Sequence, residues 1–108
     1  MDDYPCVTFS CEFDERTAFE VEEKGYFDHA FATLEDGSRY QLHFYDPARL
    51  NYELSAEQKN GRVCMAEPGL IVIPKVTRQL MTQAVKQLAQ QGYFQTLRPS
   101  REETFERR

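Results

Sequence analysis

Residues 17–46 read TAFEVEEKGYFDHAFATLEDGSRYQLHFYD, from Thr17 to Asp46, and the fold turns on how this stretch is paired. Its apolar residues alternate with polar ones around two turn signals, which predicts three antiparallel strands. Glu23-Lys24-Gly25 suits a three-residue hairpin loop with Gly25 in the left-handed conformation. Asp36-Gly37 suits a two-residue type I′ turn, with Thr33 opposite Tyr40, Phe31 opposite Leu42 and His29 opposite Phe44. Both registers put Phe19, Val21, Phe27, His29, Phe31, Tyr40, Leu42 and Phe44 on one face. Glu20, Glu22, Asp28, Ala30, Ala32, Gln41, His43 and Tyr45 fall on the other.

Upstream, Val7, Phe9, Cys11 and Phe13 alternate with Thr8, Ser10 and Glu12, the pattern of a half-buried strand. Downstream, Asp46-Pro47 is a helix start, with Leu50 and Leu54 as its apolar stripe and Asn60-Gly61 as its stop. This predicts a short helix over 47–60. Ser55-Ala56-Glu57-Gln58 offers a second, later start. Arg62–Glu67 is expected as a strand, followed by a type II turn centred on Pro68-Gly69. Leu70–Ile73 is apolar throughout, which predicts a central strand covered on both faces.

The clearest helix covers 77–91. Thr77 caps it, Leu80, Met81, Ala84, Val85, Leu88 and Ala89 form its stripe, and Gly92 closes it with Tyr93 and Phe94 folding back. The sum is a two-layer α+β domain over 1–94, with an antiparallel-rich sheet of five or six strands and one main helix on its apolar face. Residues 95–108 form a charged tail, expected to fray.

Composition limits the function. The chain has 108 residues, 41% of them hydrophobic, enough for one domain with a real core. The acidic start MDDYPC lacks the basic and apolar segments of a signal peptide, and no apolar run spans a bilayer. The expectation is therefore a soluble, cytoplasmic chain with no membrane partner. Cys6, Cys11 and Cys64 are few and odd in number, consistent with buried reduced thiols and with no metal or disulfide framework. Residues 1–36 hold 11 acidic and 2 basic side chains, whereas residues 37–108 hold 7 and 11, so charge is strongly asymmetric along the chain.

No residue pattern points to catalysis, and no cofactor is implied. The predicted registers separate His29 from His43, no cysteine has an activating neighbour, and the five glycines are scattered among turns. The net charge of −5 opposes nucleic-acid binding. What remains is a non-catalytic protein–protein interaction module. Its candidate surface is the carboxylates Glu20, Glu22 and Asp28 with Tyr26, Tyr45 and Tyr52 as partly exposed anchors, steering onto a basic partner in the manner of an inhibitor or immunity protein. A structural homodimer and a small-ligand or enzymatic site around His43 are the alternatives.

Overall fold

Asp14 begins an element that strand periodicity does not foresee. In a computed structural model, which describes residues 5–97, its side chain accepts a hydrogen bond from the Thr17 amide at 2.9 Å and caps helix α1 (Glu15–Lys24). Glu15 in the first turn and Lys24 in the last complement the helix dipole. Gly25, left-handed at φ 71°, donates its N–H to the Val21 carbonyl and ends the helix. Residues 17–23 are thus helical, which corrects the expected first strand of the meander. Gly25 keeps the left-handed conformation expected of it, but as a helix cap instead of a hairpin bulge. Phe19, expected in the core, stands 66% exposed.

The sheet has four strands, not five or six: β1 (Cys6–Phe9), β2 (Tyr26–Thr33), β3 (Arg39–Tyr45) and β4 (Leu70–Val72), adjacent in that order. β1, β2 and β3 pair antiparallel; β4 lies parallel to β3, so the sheet is mixed. A helix, α2 (Pro47–Lys59), sits between β3 and β4, and a strand reached through a crossover helix returns in the same direction. Arg62–Glu67 is not a strand: β4 already occupies the free edge of β3, and these residues form a loop. β4 has one neighbour and Val72 is exposed, so it is an edge strand and not a central one.

The β2–β3 register also differs from expectation. Leu34 N–H bonds to the Ser38 carbonyl, giving a three-residue loop, and Thr33 pairs with Arg39 instead of Tyr40. One residue of slip reverses every side chain. Ala30 and Ala32 therefore face the core while Phe31 and His29 do not, and His29 is exposed. An irregularity between Phe27 and Ala30 then shifts the register again and sets Phe27, in place of the expected His29, opposite Phe44, both buried.

Helix α3 (Arg78–Gln90), capped by Thr77 and buried through Met81 and Val85, joins Val21 of α1, Phe27, Leu42, Phe44, Ile73 and Val76 in one core. The two fully buried alanines leave room on this face for the larger side chains. A 3-10 turn, Tyr93–Thr96, returns Phe94 to the core beside Tyr40. Phe9 stacks on Phe13 at 4.5 Å, and both meet Phe27 edge-on. By contrast α2 buries none of its residues. The tail from 98 onward lies outside the described residues.

Candidate functional site

The outer face of α1 gathers the carboxylates that the sequence scatters. With 3.6 residues per turn, Glu15, Glu22 and Glu23 surround Phe19 at positions i−4, i+3 and i+4. Val21 points to the core from the opposite side. Glu20 pairs with Arg16 at 3.6 Å and Glu22 with Lys75 at 3.9 Å, both exposed contacts of little energetic weight. Phe19 is the functional candidate that the strand reading concealed, since an alternating pattern assigned it to the core. The signal that finds it is Asp14 placed three residues before Thr17.

Beyond the Gly25 corner, the chain builds a second, aromatic cluster. The Tyr26 ring meets that of Tyr45 at a tilt, 4.8 Å between centroids across β2 and β3, and its hydroxyl donates to Asp28 Oδ2 at 3.0 Å. Arg49 of α2 lies over the rings of Tyr26 and Tyr52, and its Nε donates to Glu53 at 2.8 Å. Glu20, Tyr26 and Asp28 line one hollow of about 230 Å³. Tyr45 differs from expectation: it is buried, and it lines another cavity, of about 390 Å³, with Glu53, Glu57, Arg62 and Glu67. Tyr52, 67% exposed, shares Arg49 with Tyr26, Glu22 pairs with Lys75, and Tyr45 is buried, so the six candidate residues are not all presented on one exposed surface.

Electrostatics follow burial. The Tyr26 phenol is pushed well above its usual range, first by desolvation and then by its bond to Asp28. Tyr45 is raised by desolvation and by the Glu67 and Glu53 carboxylates.

The chain matches no protein-family model, no curated protein and no solved structure. Its function must be read from its own surface.

His43, the alternative centre, shares a sheet face with Tyr45, and its Nε2 lies 3.3 Å from Glu67 Oε1. His29 instead meets Ser10 Oγ through Nδ1 at 3.2 Å and Asp28 through Nε2 at 3.6 Å. Among the described residues no group of three or more His, Cys, Asp or Glu side chains could hold a metal ion. The cysteines are free; Cys11 and Cys64 are exposed, not buried as expected. No helix among the described residues is long and apolar enough to cross a membrane.

Proposed function

We infer that this chain is a non-catalytic binding module that docks a basic protein partner on the outer face of α1. Phe19 carries the inference: a phenylalanine 66% exposed on a helix, with glutamates at three of the four flanking positions on its face. Covering a phenylalanine side chain is worth about 1.5–3 kcal/mol, enough to anchor an interface. The surrounding carboxylates add the steering and the discrimination that favour a lysine- or arginine-rimmed apolar pocket. The sequence asymmetry, with most acidic residues before position 37, supports the same charge sign for the partner.

Affinity capture from host extract with the wild-type chain, Phe19→Ser and Glu22→Lys/Glu23→Lys tests this. The expected result is one partner captured by the wild type, released by salt and lost with both variants. Both variants alter exposed positions, so their melting temperatures should stay within a few degrees of wild type. Undiminished capture by Phe19→Ser would refute the assignment.

A further inference from the structure

The cavity that Tyr45 lines includes no residue of α1 and has its own chemistry, independent of any protein docking there. We propose that the cavity between α2, the end of β3 and the 62–67 loop is a binding site for an organic cation, an alkylguanidinium or alkylammonium headgroup received by Tyr45 Oη, Glu53 and Glu67.

Tyr45 points to a ligand here. The residue is only 5% exposed, and its side chain makes no hydrogen bond among the described residues. Every fully buried side-chain nitrogen or oxygen among those residues does have a partner. The Tyr45 hydroxyl therefore still reaches open space, and Tyr45 lines this cavity. After burial, Glu67 and Glu53 are the strongest electrostatic influences on it, so the hydroxyl lies in the field of two carboxylates that line the same cavity. A polar group held on an otherwise buried side chain and aimed into a cavity is the kind of feature that orients a ligand.

The charge of the lining selects the ligand. Glu53, Glu57 and Glu67 face the cavity with Arg62 as their counterweight. Glu53 is held by Arg49 at 2.8 Å, Glu57 by Arg62 at 2.6 Å, and Glu67 approaches His43 at 3.3 Å. A carboxylate offers about four lone-pair sites, so each retains acceptor capacity after these contacts. An anion would meet three carboxylates and is disfavoured. A metal ion is disfavoured too, because these groups do not converge on one point. A planar or tetrahedral nitrogen headgroup, with several donors spread over a few ångströms, fits separated acceptors better. At about 390 Å³ the cavity sits at the low end of the ligand-site range of roughly 300–1,000 Å³, the size for a short chain with a charged end. Met65 and Ala66 supply apolar wall for the stem.

Such a headgroup reaches the site on a free amine or on a lysine or arginine side chain. Agmatine serves as the free probe, the peptide acetyl-Gly-Arg-Gly-amide as the tethered one and glutarate as the anionic control. Titration of the full chain is followed by the methyl resonance of Met65. The expected result is a saturable shift with agmatine, the peptide or both, weakened about tenfold by Tyr45→Phe and by Glu67→Gln, the loss of one charge-assisted hydrogen bond. Glu22→Gln on α1 should change nothing, and glutarate should produce no shift. Saturation by the peptide alone assigns the site to a protein side chain; saturation by agmatine opens it to free amines. No saturable shift with either cation, or shifts unaltered in both cavity variants, would overturn the proposal. Glu67 is exposed, so Glu67→Gln decides the matter even if Tyr45→Phe proves unstable.

Discussion

Gly25→Ala tests the corner on which the molecule turns. Gly25 is left-handed at φ 71°, and a Cβ there would lie 2.5 Å from both carboxylate oxygens of Asp46. Asp46 Oδ1 accepts from the Arg49 amide at 2.7 Å and caps α2, while the Asp46 amide donates to the Gly25 carbonyl at 2.9 Å. One methyl group therefore imposes two separable costs. Holding an L-residue left-handed costs about 1–2 kcal/mol, and displacing the cap carboxylate costs about 1 kcal/mol more. The sum, about 2–3 kcal/mol, corresponds to a fall in melting temperature on the order of 10–20 °C for a domain of this size.

Urea unfolding followed by circular dichroism measures the first quantity, and Asp46→Ala with the double variant separates the parts. In an Asp46→Ala background the clash has no carboxylate to displace, so Gly25→Ala should cost only the backbone term. The double variant should fall short of the sum of the singles by about 1 kcal/mol, well beyond the roughly 0.3–0.5 kcal/mol scatter of independent sites. Strict additivity, or a Gly25→Ala variant within about 0.5 kcal/mol of wild type, would refute the coupling between the end of α1 and the start of α2.

Two other parts of the fold can be tested in the same way. At Gly69, φ 85°, a Cβ would collide with the Gln41 carbonyl oxygen, and the Gly69 carbonyl accepts from the His43 amide at 2.8 Å. Gly69→Ala should accordingly loosen β4 selectively, so that the Ile73 amide, bonded to the Tyr45 carbonyl, exchanges faster while the β1–β2 amides keep their protection; unchanged Ile73 protection would contradict this. Tyr26 and Tyr45 both hold their phenols neutral to higher pH than the ordinary value of 10.0. A folded-state pKa above the unfolded one means that the folded chain retains protons longer, so the associated stability is fully present below pH 10 and is lost as pH rises above it. Ultraviolet titration should show Tyr26 and Tyr45 ionising late, and Tyr26→Phe should flatten the alkaline fall in stability; a late phase unchanged by Tyr26→Phe would count against it.

Much of the fold was legible where local chemistry is unambiguous. Thr77 accepts from the Leu80 amide and starts α3, Asp46 and Pro47 start α2, and Pro68-Gly69 makes its turn with Leu70 N–H on the Glu67 carbonyl. Each signal uses contacts within a few residues, so the sequence contains all of it. Phe19 and Val21 were misplaced because FEVEEK alternates as a strand does and also contains good helix formers. Gly25 serves either reading, and the Asp14 cap tips the balance.

The candidate sites were less legible. Glu22, read on the strand face opposite Phe19, joins Glu15 and Glu23 around it only because α1 is a helix. The cavity at Tyr45 needs Glu53 of α2 and Glu67 of the following loop to approach the end of β3, over a separation no spacing rule spans.

Residue by residue, the sequence alone determined the Pro68-Gly69 turn, the caps of α2 and α3, the α+β class and the acidic character of the first third of the chain. Only the tertiary structure decided the register of β2 on β3, the parallel placement of β4 and which aromatic residues meet solvent. Caps and turns are settled by neighbouring atoms, whereas register is settled by what the opposite layer can accommodate. Here the packing of α3 and the core against Ala30 and Ala32 accompanies a register that turns Phe31 and His29 out of the core.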